Sequence, residues 1–243
     1  MFFDDALRDL PRAILLDMDG TLADSEDWWY QAETEIMADL GATWSKEYVG
    51  QIVGSSLEYA TSKIVSDFDL SISPSELGAR LVSRVCEIGE ASEVPWRPGA
   101  YELLALTVEL GIPTALVTSS YERFARIVIG DAPAGSLTTL VAGDHGLPGK
   151  PDPAPYLRAA ELTGAAPETS VVIEDSIFGV RSGMAARAHV VHVPYMVEVA
   201  EAPGLIRVDS LESIDEAALR RFMSVELPQG DPYSQGVRDP EGP

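Results

Sequence analysis

At 243 residues, 46% of them hydrophobic and 23% charged, the chain is long enough for an α/β domain of ordinary size with a smaller insertion, and its composition excludes wholesale disorder. Its 17 Lys and Arg stand against 39 Asp and Glu, a formal net charge of −22, and a field of that sign excludes nucleic acid and anionic membrane surfaces as natural partners. An anionic small molecule must then be held by a local metal or by a few well-placed cations, and the only lysines are Lys46, Lys63 and Lys150. The single cysteine, Cys86, excludes an intrachain disulfide and reads as a small core residue. Acids occur within the first five residues and no apolar run reaches signal-peptide or membrane-spanning length, so a cytoplasmic protein is expected.

The first predicted element is a strand over Ala13 to Leu16, which ends abruptly in Asp17-Met18-Asp19-Gly20-Thr21. Two acids at the carboxyl end of a strand can hold a divalent cation through hard oxygen ligands, and Gly20 lets the backbone come close to a ligand; solvated loop acids are the plainer alternative. Asp24 to Leu40 reads as a helix with Trp28, Trp29, Ala32, Ile36, Met37 and Leu40 on roughly one side, stopped at Gly41. Helical patterns continue to about Glu93, with Ser73-Pro74-Ser75-Glu76 a capping sequence, and no strand is predicted between Asp24 and Val94. The block 25–95 is therefore expected to be an inserted all-helical cap domain, hinged near Asp24 to Asp27 and Val94 to Pro98.

From Arg97 onward, helices and short apolar strands alternate. Strands are predicted at Ile112 to Val117, Leu137 to Ala142, Val171 to Ile173, His189 to Val193 and, more briefly, Ile206 to Val208. Helices are expected through Leu110, at Glu122 to Ile129, Ala154 to Thr163, Ile177 to Ala188 and Glu216 to Met223. Such alternation implies right-handed crossovers, a parallel sheet and a Rossmann-like three-layer αβα core made of 1–24 and 96–226. The last stretch, 227–243, with four prolines and three glycines among polar residues, is expected to be a disordered tail.

Chemistry gathers at three later strand ends or loops. Val117-Thr118-Ser119-Ser120 runs from strand into hydroxyls that can hold phosphate oxygens at a helix start or simply cap the helix. Lys150 lies between Gly149 and Pro151 in a rigid loop, either as a site cation or as a solvated side chain. Val171-Val172-Ile173 delivers Glu174-Asp175-Ser176 to the same sheet edge, where Asp175 can bind a ligand or cap a helix. The ordered set of acid-x-acid-Gly-Thr, strand-Thr-Ser, Lys-Pro and Glu-Asp-Ser resembles the haloacid dehalogenase superfamily of phosphohydrolases, over about residues 13 to 194. The helical insertion looks like the cap of the branch that includes small-molecule phosphatases and β-phosphoglucomutase.

That resemblance implies a Mg²⁺-dependent phosphatase acting on a small phosphorylated metabolite through an aspartyl phosphate. Asp17 would be the nucleophile and Asp19 the general acid. Thr118, Ser119 and Lys150 would hold phosphoryl oxygens, while Asp17, the main-chain carbonyl of Asp19, Glu174 and Asp175 would bind Mg²⁺. Asp19 argues against the dehalogenases, which lack a carboxylate at that place. Neither Lys46 nor Lys63 lies in the Gly54-Ser55-Ser56 loop where a phosphonatase lysine would be expected. For a mutase, Trp29 and Ser56 stand nearest the expected cap histidine and arginine, with Arg80 and Arg84 as remaining candidates for cations; a catalytically silent binding protein of the same fold is a further alternative. The implied strand order is 3-2-1-4-5, with the Asp17 strand central, because the strands ending at Thr118 and Glu174 must flank it. His145, His189 and His192 fall outside the four motifs and read as structural.

Overall fold

The computed structural model describes residues 9–52, 55–229 and 233. Most of the expected tail, and Gly54 of the cap loop, lie outside the described residues. Six parallel strands form one sheet: β1 (Ala13–Leu16), β2 (Thr114–Val117), β3 (Thr139–Val141), β4 (Ser170–Glu174), β5 (His189–His192) and β6 (Leu205–Arg207). Their order is β3-β2-β1-β4-β5-β6, so the expected order holds and the short sixth strand extends it beyond β5. β1 is flanked by β2 and β4, with Leu16 opposite both Leu116 and Ile173. All three strands therefore end at one level, and the loops leaving them meet at one edge.

Alternation along the strands builds the two faces. Ile14, Leu16, Leu116, Ile173 and Val191 pack with α5 (Ala100–Glu109), α6 (Glu122–Asp131) and α9 (Glu216–Met223). Ala13, Leu15, Ala115, Val172 and Val190 face the other way, onto α7 (Ala154–Thr163) and α8 (Ile177–Ala185). The core is a three-layer αβα sandwich, and both faces of the central strand are buried.

Several element ends differ from the sequence reading. β2 starts at Thr114 because Ile112 donates to Thr107 O, closing the preceding helix. Leu137 has φ +47° and donates to the Thr114 hydroxyl, which delays β3 to Thr139. α8 stops at Ala185 because Arg187 is left-handed and Ala188 donates back to Gly183 O. The first helix starts at Glu26, since the Asp24 N–H is taken by Pro95 O.

Between β1 and α5 lie α1 (Glu26–Asp39), α2 (Lys46–Val49), α3 (Leu57–Asp67) and α4 (Pro74–Glu90), and no strand occurs among the described residues of this block. Ser73 caps α4 by accepting from Glu76 N, with Pro74 in the first turn, where its missing N–H costs nothing. The block has a cluster of its own: Met37, Trp44, Ile52, Ile64, Leu77 and Leu81. Trp28, Ala32, Val82, Val85 and Cys86, by contrast, join the cluster that continues to the sheet. Two chain segments connect block and core side by side, tied by Asp24 N to Pro95 O at 2.8 Å and Arg97 N to Leu22 O at 2.8 Å. Among the described residues, no helix is long and apolar enough to cross a membrane.

Candidate active site

The site begins where β1 ends. Met18 is fully buried in the core, so the alternation of the extended chain sends Asp17 and Asp19 to the opposite side. The chain then turns, with Gly20 at φ +82°, a backbone conformation that costs a side-chain-bearing residue about 1–2 kcal/mol. A Cβ there would stand 2.3 Å from Asp175 Oδ2. Gly20→Ala is therefore expected to lower the melting temperature and to displace Asp175, with loss of activity; an active, equally stable variant would show that the close approach is dispensable.

Lys150 ties the strand ends together. Its ammonium donates to Asp17 Oδ1 at 2.6 Å, to Glu174 Oε1 at 2.6 Å and to Val117 O at 2.9 Å, with a side chain only 5% exposed. Glu174 is fully buried and has both oxygens engaged: Tyr156 donates to Oε1 at 2.7 Å, and the Ser176 N–H and hydroxyl donate to Oε2. Gly179 makes room for this carboxylate, since a Cβ there would fall 1.7 Å from Oε1. Asp175 accepts from the Thr21 hydroxyl at 3.2 Å.

Oxygens of Asp17, Glu174 and Asp175 lie within 4.8 Å of one another. Burial, and then the charge of Glu174, push the Asp17 carboxyl up to about 7 despite Lys150. Burial, followed by Asp17 and Glu174, pushes Asp175 well above the usual carboxylate range. Burial works against the Lys150 charge, yet Asp17 and Glu174 hold its pKa above that of an ordinary lysine. One ammonium therefore balances three crowded carboxylates, a deficit of positive charge that suits a divalent cation with oxygen ligands.

Asp19 is outside that group of three. Its Oδ1 accepts from the Ser25 hydroxyl, and its Oδ2 accepts from Ser120 Oγ at 2.7 Å and Thr118 Oγ1 at 3.3 Å. Three hydroxyls thus fix one carboxylate beside the cluster. Ser119 reaches the cavity wall without a hydrogen bond to any of these acids, whereas its neighbour Ser120 makes one. Thr21 and Ser120 stood inside the sequence motifs without a role of their own, and Ser25 and Tyr156 were not read from the sequence. Ser25 stands at the start of α1, where a hydroxyl reads as a helix cap, and Tyr156 carries no local signal. His192 is buried with Nε2 3.2 Å from the Asp175 carbonyl, so it supports the loop; burial lowers its pKa, which keeps the ring neutral. His189 is buried on β5, and His145 pairs with Glu122 away from the acids.

A cavity of about 350 Å³ opens above the acids, with Asp17, Asp19, Lys150 and Asp175 at its floor and residues of α1 and α3 in its wall. Trp28 and Trp29, read together from the sequence, separate here: Trp28 is buried in the core and Trp29 lines the cavity. Ser56 caps α3 through Tyr59 N, and Ser55 lines the cavity instead. Arg80 pairs with Glu76, and Arg84 with Glu35 and Glu87; neither lines the cavity.

A parallel αβα core with a helical insertion after its first strand, and acids gathered at the carboxyl edge around a buried lysine, defines a class of α/β hydrolytic enzymes. A model described as haloacid dehalogenase-like hydrolase matches residues 14–193, and the chain belongs to that family. Hexitol phosphatase A of Escherichia coli is 32% identical over 218 residues, which span 84% of this chain and 93% of that protein. The bifunctional riboflavin kinase/FMN phosphatase of Arabidopsis thaliana is 27% identical over 80% of this chain, which spans about half (51%) of its length. Among solved structures, CbbY from Rhodobacter sphaeroides in complex with phosphate has the same fold, with a TM-score of 0.78 over 86% of this chain and 99% of that one at 24% identity.

Proposed function

We propose that the protein hydrolyses phosphate monoesters of small metabolites, with Asp17 as nucleophile and Asp19 as general acid and base. The observation that carries the reading is the convergence of Asp17, Asp19, Thr118, Lys150 and Asp175 at one sheet edge beneath one cavity. A carboxylate oxygen of Asp17 attacks phosphorus as the bond to the leaving oxygen breaks, and Asp19 delivers a proton to that oxygen. Water then attacks the phosphorus of the aspartyl phosphate, Asp19 takes its proton, and the Asp17 carboxylate is released. Lys150, with the Thr118 and Ser119 groups, holds phosphoryl oxygens, and Glu174 holds Lys150 in place. Asp17, Asp175 and the Asp19 main-chain carbonyl, with Glu174 beside them, are the residues for Mg²⁺. When bound, Mg²⁺ supplies positive charge that offsets repulsion between these carboxylates and a phosphate dianion.

Residues 25–95 act in this reading as a cap that closes over the site about the paired segments near Asp24 and Pro95, excluding water from the reaction. Water is the acceptor rather than a second sugar hydroxyl, because Lys150 is the one basic side chain lining the cavity among the described residues and a bisphosphate intermediate needs a second cation. With β-glucose 1-phosphate, free phosphate and no glucose 6-phosphate is the expected product pattern; isomer formed faster than phosphate would overturn this.

Hydrolysis of p-nitrophenyl phosphate is expected to require Mg²⁺ and to stop in excess chelator. Asp175→Ala is expected to raise the Mg²⁺ concentration for half-maximal rate by about tenfold or more, as loss of one hard ligand from a small octahedral site should. Full turnover in chelator, or an unchanged metal requirement in the variant, would sink the assignment.

A further inference from the structure

The cavity wall facing the acids is built by one face of α1. Glu26, Trp29 and Glu33 follow one another at i, i+3 and i+7, a spacing that stacks side chains on a single helix face, and all three line the cavity. Glu33 is 8% exposed, and its Oε2 accepts from Trp44 Nε1 at 3.0 Å. Glu26 makes no hydrogen bond or ion pair with any described residue. Trp29 is steadied edge-on against Phe124, with ring centroids 5.5 Å apart. Lys150 is the one base in the wall among the described residues, and Asp17 and Glu174 already occupy it.

We propose that this face of α1 selects the organic part of the substrate, and that it takes an uncharged polyol in preference to a group carrying a second anion. The inference rests on the phosphatase reading above. A distal carboxylate or phosphate would enter a wall that offers, among the described residues, no free cation to receive it, in a protein whose formal charge is already −22. Burial pushes Glu33 up to about 8; burial, and then the charges of Asp19 and Asp24, push Glu26 up to about 7. Near neutral pH, Glu33 is then largely a neutral carboxylic acid, which both donates and accepts. A hydroxyl does the same. Trp29 and Tyr59 give the carbon chain of a polyol an apolar surface, and Gln51 and Ser55 add polar groups to the same wall.

The test is a comparison of kcat/KM for a hexitol monophosphate, phosphoglycolate and a hexose bisphosphate, with p-nitrophenyl phosphate reporting the chemistry alone. The hexitol monophosphate is expected to exceed each charged competitor by about tenfold or more, since a buried polar site left wrongly paired is costly. Glu33→Ala is expected to shrink that ratio by about tenfold, while Glu33→Gln, which still donates and accepts, keeps most of it. Hydrolysis of p-nitrophenyl phosphate with a flat panel, with a preference for a charged substrate, or with a ratio untouched by Glu33→Ala would overturn this inference and leave the phosphatase reading standing. Failure to hydrolyse p-nitrophenyl phosphate at all would overturn both. If Glu33→Ala does not fold, the parent panel and Glu33→Gln decide alone.

Discussion

Asp17→Asn is expected to abolish hydrolysis of every phosphate monoester while leaving the fold intact. The amide has the size and shape of the carboxylate but is a far weaker nucleophile toward phosphorus, so kcat should fall by about 10,000-fold or more, as when the attacking group of an enzyme is removed. Folding should tolerate the change because Asp17 sits among like charges. Its carboxyl is pushed up to about 7 by burial and by Glu174, so a neutral group relieves repulsion from Glu174 and Asp175. Lys150 loses one partner and keeps Glu174 and Val117 O. Activity at saturating substrate and the melting temperature are the two measurements. Rapid quenching with labelled substrate should leave acid-stable label on the parent protein and none on the variant. A variant retaining more than about one per cent of parental kcat would remove Asp17 from the nucleophile's role, because such a loss is within reach of misplaced binding alone.

Much of this site was legible because the chemistry sits where strands end. Asp17, Thr118, Glu174 and Asp175 each follow an apolar run, and a parallel sheet with β1 flanked by β2 and β4 brings their ends to one edge. Lys150 stood out because lysines are scarce. What stayed hidden depends on contacts between residues far apart in sequence. Tyr156 lies within α7, where its alternation looks like ordinary helix packing, yet its hydroxyl ends on Glu174. Glu33 looks like a polar position on α1, and only the segment that joins α1 to α2 brings Trp44 against it, at the cavity wall. Strand starts were misread for a similar reason: Ile112 and Leu137 are apolar and buried, but their N–H groups close a helix end and a turn. Hydrophobicity reports burial and is silent on where a main-chain donor goes.

Lys150→Met should cost both activity and stability, and the two losses have separate causes. Methionine preserves most of the volume of the lysine stem, so the change removes charge with little cavity. Asp17 and Glu174 would then be left buried with no cation at 2.6 Å, and breaking a buried pair from one side typically costs about 3–5 kcal/mol. For a domain of this size each kcal/mol is worth about 2–4 °C, so a fall of roughly 6–20 °C in Tm is expected without metal. If Lys150 holds phosphoryl oxygens as proposed, the loss of this preorganised cation should lower kcat/KM by about 100- to 1,000-fold. Mg²⁺ separates the two effects. If Asp17 and Asp175 are metal ligands, millimolar Mg²⁺ should raise the variant's Tm by more than the parent's, since it neutralises charge that the parent neutralises with Lys150. It should not restore kcat/KM, because a metal held by Asp17 and Asp175 would not replace the ammonium that donates to Val117 O and Glu174. Lys150→Arg is expected to recover little, as a planar fork replaces a compact ammonium that donates to three acceptors from one nitrogen. An unchanged Tm in Lys150→Met would mean that the carboxylates are discharged by protonation in the folded protein. An unchanged kcat/KM would remove the lysine from phosphate binding.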